Sequence, residues 1–388
     1  MQIRGKKNRV IQVTAKSGVQ SVLSEHFKLL CKEGFDVILI CSDDENVRHW
    51  ARSIGVSFFP VLIKQSIAPI SSVIGLFRLW RLFHCLQPTV VHAHGSKPGV
   101  LGMVASWLAQ VPIRIYHNHG MALLSAKGWK YWLLRVTESL ACRCATEVIF
   151  VSPSNREDIV NIGICPREKA VVLGPGTIRG IDTDKFDPRK HTFIGSQLRK
   201  KEGIRDNSWL VGFVGRIVPH KGIETILEAW RLLPLDIRSN AYLCIFGGYG
   251  HRRMQRLVQQ AVADPDLHIR YMGFRDDMPA WYSVMTLLVQ PSWHEGWGYN
   301  VLEAACSGVP AIGTRISATA DAILDGETGV LVPVKDPKAM ADAIVRILKD
   351  DNLRWRLGQA ARERTIAEFQ QDKICPLLIQ EYRRLLSR

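Results

Sequence analysis

Two carboxylates eight residues apart, Glu295 and Glu303, stand in the segment Pro291-Ser292-Trp293-His294-Glu295-Gly296-Trp297-Gly298-Tyr299-Asn300-Val301-Leu302-Glu303. The segment follows a strand pattern and opens a helix pattern. Glu295 falls in a turn where Gly296 and Gly298 let a hydroxylated ligand approach the backbone closely. Glu303 falls a turn or more into the helix, where a carboxylate can chelate a vicinal diol, as acidic residues do for ribose in dinucleotide folds. A blander account has Glu295 complementing the helix dipole and Glu303 simply exposed. Upstream, Gly212–Gly222 also runs from a strand end to a helix start. Arg216 and Lys221 there, beside helix N-terminal amides near Ile223, would cradle a diphosphate. A solvated basic loop explains the same residues equally well. It is no Walker loop, because Gly-x-x-x-x-Gly-Lys-[Ser/Thr] is absent. Paired carboxylates also suit glycoside hydrolysis, but this pair sits in one loop–helix unit rather than on opposing walls.

Four histidines alternate at two strand ends, His92-Ala93-His94 and His117-Asn118-His119. Alternate strand positions point the same way, which invites a metal. No Asp or Glu lies between residues 46 and 137 to join them. A ligand-facing His119 with structural histidines around it is the better account, and no metal is expected. Asp43-Asp44 and Asp276-Asp277 read as solvated turns rather than metal ligands. Lys97, on the loop after a strand, suits an acceptor phosphate or plain exposure, and His94 stands beside it.

The elements that must position these residues alternate strand and helix, which specifies parallel sheets with helices on both faces. The first unit reads as strands at 9–13, 36–41, 89–93, 113–117 and 147–151, with helices at 19–31, 71–86, 99–108 and 130–142. A polar, basic stretch near 187–207 breaks the pattern. A second unit restarts with strands at 210–214, 241–246, 269–271, 286–290 and 310–312, and Asp336 to Leu386 is helical. The division expected is residues 1–188, a linker at 189–207, residues 208–365, and a C-terminal helix at 366–388 packing back on the first unit. The fold class is α/β, two doubly wound parallel-sheet units enclosing a cleft at the carboxyl ends of their strands.

At 388 residues, 47 % hydrophobic and 22 % charged, the chain is long enough for two cores and too apolar for disorder. Its longest stretch without Asp, Glu, Lys or Arg is the 17 residues Met278–His294, too short and proline-broken to span a bilayer. Charge at residues 4–9 does not suit a secretory signal, and nine scattered cysteines suit a reducing cytosol.

The Glu295-x₇-Glu303 pair with Arg216 and Lys221 upstream resembles the retaining family 4 glycosyltransferases of the GT-B fold, two Rossmann-like domains facing a central cleft. Gly174–Asp187 and Gly326–Pro333 are similar to two further segments of that family. The His92–Gly99 and His117–Gly120 loops resemble the subgroup that builds capsular, exopolysaccharide and O-antigen-type glycans on a polyprenyl carrier. The resemblance implies a metal-independent hexosyl- or N-acetylhexosaminyl-transferase that uses a nucleotide sugar, by family habit a UDP-sugar, and retains anomeric configuration. By the same resemblance, Arg216 and Lys221 hold the diphosphate and Glu303 the ribose. Glu295, Gly296, Trp297 and Gly298 contact the transferred sugar. His119 sits at the reacting centre with Glu295, Gly18 admits the phosphates, and His94 and Lys97 meet the acceptor. Trp297 replaces a commoner Phe, and the segment 317–321 lacks a Gly-Gly often present in the family.

The net charge of +15 is uneven. Residues 1–190 carry 25 Lys and Arg against 14 Asp and Glu, and residues 46–137 hold ten basic residues and no acid. Within that block Arg78 and Arg81 interleave with Phe77, Trp80 and Phe83, while Lys127, Lys130 and Arg135 interleave with Trp129, Tyr131 and Trp132. Basic residues beside aromatics suit an anionic bilayer, although core aromatics with a solvated rim would look alike. The expectation is peripheral attachment to the cytoplasmic face of the membrane and a lipid-linked saccharide acceptor. A nucleic-acid-binding protein is disfavoured, because no recognised module appears. A GT-B nucleotide-sugar epimerase would need no membrane face.

Overall fold

The computed structural model describes residues 8–15, 19–64, 66, 68–120, 123 and 126–388. Two compact units divide the chain: residues 1–180 with 372–388, and residues 181–371.

Unit 1 holds seven parallel strands, β1 (Arg9–Val13), β2 (Asp36–Cys41), β3 (Ser57–Pro60), β4 (Val90–His94), β5 (Ile113–Asn118), β6 (Glu147–Phe150) and β7 (Ala170–Val172), in the order β3-β2-β1-β4-β5-β6-β7. Central strands are buried along their length, as a sheet covered on both faces requires. The strand order reverses between β1 and β4, and His94 of β4 pairs in register with His117 of β5. Helix Ser96–Leu108 lies hard on this sheet: a Cβ at Gly99 would meet the Tyr116 ring at 2.3 Å, and one at Gly102 would meet Ala93 at 2.9 Å.

Unit 2 holds β8 (Trp209–Val214), β9 (Ala241–Phe246), β10 (Ile269–Gly273), β11 (Leu287–Gln290), β12 (Ala311–Thr314) and β13 (Gly329–Val332), all parallel, in the order β10-β9-β8-β11-β12-β13. The reversal lies between β8 and β11. Each unit thus has the Rossmann-like topology of the GT-B fold.

The short strands β3, β7 and β13, absent from the sequence expectation, are all sheet edges. Edge strands of three or four residues carry too little periodicity to read. The stretch expected to be a linker is instead part of unit 2. It forms helix Thr192–Lys201, where a Cβ at Gly195 would strike the Ala280 carbonyl oxygen at 2.4 Å. Buried Arg199 donates to the carbonyls of Arg205 at 2.6 Å and Ser208 at 2.7 Å, so one of the basic residues that suggested a linker is structural. The C-terminal helix Gln371–Leu386 joins unit 1, where Arg383 pairs with Glu33 and Arg384 with Glu147.

Candidate active site

In unit 2, the two loops that leave β8 and β11 meet at the carboxyl edge where the strand order reverses, the usual ligand position in such sheets. The first runs from Gly215 to Gly222 and ends in a short 3₁₀ turn, Pro219–Lys221, ahead of helix Ile223–Arg231. Gly222 sits at φ +71°, and a Cβ there would lie 1.9 Å from the Pro291 carbonyl oxygen. Only glycine permits both the left-handed backbone and this contact. The second loop, 291–298, leads through Gly298 at φ +85° into helix Tyr299–Cys306.

Glu295 anchors the contact between the loops. Its Oε1 lies 2.5 Å from Lys221 Nζ, accepts from the Ser292 hydroxyl at 2.7 Å, and accepts from Gln290 Nε2. Asn300 Nδ2 donates to the Gln290 side-chain oxygen Oε1 and to the Val214 backbone carbonyl at 2.7 Å, which orients the Gln290 amide toward Glu295. The side chains of Lys221 and Glu295 are 18 % and 7 % exposed, so this is a nearly buried ion pair, with three donors gathered on one carboxylate oxygen. Arg216 differs: it is exposed and makes no ion pair among the described residues. Glu303 is half-buried and accepts from the Tyr282 hydroxyl at 3.4 Å. The Trp297 indole is 3 % exposed and packs on Phe369 with ring centroids 5.6 Å apart. The Trp297 ring is therefore committed to core packing.

In unit 1, His92, His94, His117 and His119 cluster at the carboxyl ends of β4 and β5. His92 Nε2 lies 3.1 Å from His117 Nδ1, and His94 Nδ1 lies 3.2 Å from His119 Nε2. Two residues outside the sequence expectation complete the group. Gln12 Oε1 is 2.6 Å from His94 Nε2, and its Nε2 donates at 2.9 Å to the Tyr382 hydroxyl, itself 2.6 Å from His92 Nδ1. Burial pushes the His119 imidazole down to about 4 and holds His92, His94 and His117 well below 6.5, so all four are neutral at physiological pH. His92, His94 and His117 offer ring nitrogens within 4.8 Å of one another. Five of their six nitrogens are already hydrogen-bonded, so an ion would have to break that network.

Two family models cover most of the chain: glycosyl transferases group 1 over residues 196–364, and glycosyl transferase 4-like domain over residues 17–176. The chain belongs to the group 1 glycosyltransferases. Among relatives of this transferase, the Staphylococcus aureus capsular polysaccharide biosynthesis glycosyltransferase CapM is 27 % identical over 383 residues, 98 % of each chain. The Escherichia coli UDP-Gal:alpha-D-GlcNAc-diphosphoundecaprenol alpha-1,3-galactosyltransferase is 28 % identical over 340 residues, 86 % of this chain and 85 % of that one. In fold, the transferase matches Anabaena HepE, solved with UDP and glucose, at a TM-score of 0.81 and 18 % identity, covering 96 % and 99 % of the two chains.

The remaining expected site residues of the transferase are dispersed. Lys97 donates to the Ser66 carbonyl at 2.6 Å, and partial burial lowers its pKa. Gly18 lies outside the described residues. Arg78, Arg81, Lys127, Trp129, Lys130 and Trp132 are exposed. Trp80, by contrast, packs against the core, and Arg135 donates to the Tyr131 hydroxyl and the Ile162 carbonyl. Both side chains are half-buried, and the Trp80 ring also lies against exposed Phe77, with centroids 5.6 Å apart. The same two helices expose apolar residues: Ile70, Val73, Ile74 and Phe77 on helix Pro69–Leu86, and Trp132, Val136 and Leu140 on helix Trp129–Cys144. Both helices pack against the same intervening helix, Ser96–Leu108, which adds exposed Trp107.

Proposed function

We propose that this transferase moves a hexose or N-acetylhexosamine from a UDP-sugar to a polyprenyl-diphosphate-linked saccharide, in the assembly of a bacterial surface polysaccharide. The observation that carries this reading is the Lys221–Glu295 pair at the switch point of unit 2, with the exposed Arg216 guanidinium on the same loop. Departure of a nucleotide diphosphate leaves negative charge on phosphate oxygens and positive charge at the anomeric carbon. Arg216, Lys221 and the amides opening helix Ile223–Arg231 stabilise the first without a metal. Glu303 takes the ribose hydroxyls, Glu295 with the 296–298 backbone takes the sugar, and His119 faces the reacting centre. Anomeric configuration is retained. The name of the Escherichia coli relative supports a UDP-sugar donor and a diphosphoundecaprenol-type acceptor, and that of CapM supports a capsular polysaccharide product.

Among the described residues no helix is long and apolar enough to cross a membrane. Access to a lipid-linked acceptor instead runs through the apolar stripes of unit 1. Phe77, 58 % exposed, and Trp132, 64 % exposed, with Arg78, Arg81, Lys127 and Lys130, suit the cytoplasmic face of an anionic bilayer.

The test is thermal stabilisation by UDP, GDP and a panel of UDP-sugars in EDTA. A ligand at about 100 times its Kd adds about 2.7 kcal/mol, a readily measured rise in Tm. UDP is expected to stabilise, and one UDP-sugar more so. Stabilisation by GDP alone would move the donor class, and a requirement for a divalent ion would overturn metal independence.

A further inference from the structure

Six side chains of unit 1 form one unbranched hydrogen-bonded chain: His117, His92, Tyr382, Gln12, His94 and His119. A neutral imidazole carries one N–H and one lone pair, and an amide has distinct donor and acceptor ends. With the Gln12 amide oriented as it stands, those two facts assign every proton. The Gln12 carbonyl oxygen accepts only, so His94 carries its proton on Nε2 and presents a lone pair at Nδ1. His119 must then donate from Nε2, which leaves its Nδ1 as a lone pair with no partner among the described residues. On the other side the Gln12 amide donates to Tyr382. The Tyr382 hydroxyl therefore gives its own proton to His92 Nδ1, and His92 donates from Nε2 to His117 Nδ1. All four imidazoles carry the proton on Nε2. Turning the Gln12 amide over would reverse every bond and move all four protons to Nδ1. No member can change alone without opposing two donors or two lone pairs, and such a clash is costly in a buried network.

We infer that Gln12 and Tyr382 are positioning residues that set the proton on His119, holding its Nδ1 as a bare lone pair for the hydroxyl of the acceptor. The inference rests on the reading of His119 as the reacting-centre histidine. Gln12 lies on β1, buried among apolar neighbours, and Tyr382 is fully buried on the C-terminal helix. Tyr382 on the last helix thus reaches His119 through two intervening groups, Gln12 and His94.

Histidine tautomers are read directly from two-bond ¹H–¹⁵N correlations in protein labelled at the imidazole nitrogens. The wild-type transferase at pH 7.5 is expected to show the Nε2–H pattern for all four residues. Tyr382→Phe keeps the ring and its packing but removes the acceptor of the Gln12 amide. His94 and His119 are then expected to become mixtures of the two tautomers, although neither touches Tyr382. Turnover should fall about two- to tenfold, the effect of one neutral hydrogen bond, with UDP affinity unchanged. Gln12→Met is the second variant, and it should produce the same mixture at His119. An Nδ1–H pattern at His94 or His119 in the wild type, or an unaltered His119 in both variants, overturns the inference. Full activity in His119→Asn, with the tautomers as stated, would instead remove the reacting-centre reading and leave the proton arrangement standing.

Discussion

Arg216 and Lys221 carry the same charge on the same loop, yet their substitution should have different consequences. Arg216 is exposed without an ion pair, so Arg216→Ala should leave Tm unchanged. It would remove a charged hydrogen bond of about 1.5–3 kcal/mol to the diphosphate, weakening UDP binding roughly ten- to a hundredfold by calorimetry. Glu303→Ala should weaken UDP to a similar degree through the ribose. Lys221→Ala strands the Glu295 carboxylate, 7 % exposed, with Ser292 and Gln290 as its remaining donors. It should therefore cost unit 2 about 3 kcal/mol in denaturant unfolding as well as donor affinity. Glu295→Ala should lower turnover more than nucleotide binding, and equal losses would sink its assignment to the sugar. The carboxylates and cations were legible from residue type and spacing. Gln290, Ser292 and Asn300, which hold Glu295 in place, were not, because a hydrogen-bonded shell has no spacing signature of its own.

The elements bring these residues together through close contacts that tolerate little change. Gly222→Ala places a methyl against the Pro291 carbonyl and strains a left-handed backbone. It should destabilise unit 2 by about 2–4 kcal/mol and abolish UDP stabilisation. Gly203→Ala is the control, with φ +68° but open space around its Cβ, and it should cost about 1 kcal/mol with UDP binding intact. The helix faces of unit 1 make a separate prediction. Lys127→Glu with Lys130→Glu should abolish co-sedimentation with anionic vesicles, each lost cation weakening binding by about 1 kcal/mol and each new acid adding repulsion. Phe77→Ser with Trp132→Ser should weaken binding to anionic and neutral vesicles alike. Vesicle binding that survives both pairs would rule this face out as the membrane contact. Arg135 is left in place because its guanidinium ties helix Trp129–Cys144 to the Ile162 carbonyl. The basic-aromatic pattern pointed to these helices, but which aromatics face outward depended on how each helix is rotated onto the sheet.

At the scale of the whole molecule, stability should depend on pH through unit 1. His26 and His119 are depressed to about 4 by burial, and His92, His94 and His117 also lie below 6.5. Each binds a proton near pH 6.5 when unfolded and only at lower pH when folded. Between those values the unfolded chain holds the extra protons, so stability is full above pH 6.5 and falls as pH drops, by about 1.4 kcal/mol per pH unit for each fully buried imidazole. Glu147, raised to about 8 by burial, and Glu138, also raised, act in the opposite sense but are outnumbered. Calorimetry should show a Tm that rises from pH 5 to 7, with net proton uptake on unfolding at pH 5.5. A flat or inverted dependence would contradict neutral buried imidazoles.

The amino-acid order alone was enough for the alternation of strand and helix, the two sheets, and the two loops that face each other across β8 and β11. Hydrophobic period, glycine position and charge are local properties, and a strand–helix unit expresses them locally. Tertiary structure alone decided where one unit yields to the other, which short edge strands form, that Trp297 belongs to the core, and that Gln12 meets Tyr382, a residue 370 positions away. Such contacts are set by how the sheet and the last helix close on each other. The sequence shows Gln12 only as a polar residue in a buried strand, and Tyr382 as one more aromatic on a helix. Their meaning lies in the single proton arrangement that closure imposes on four histidines.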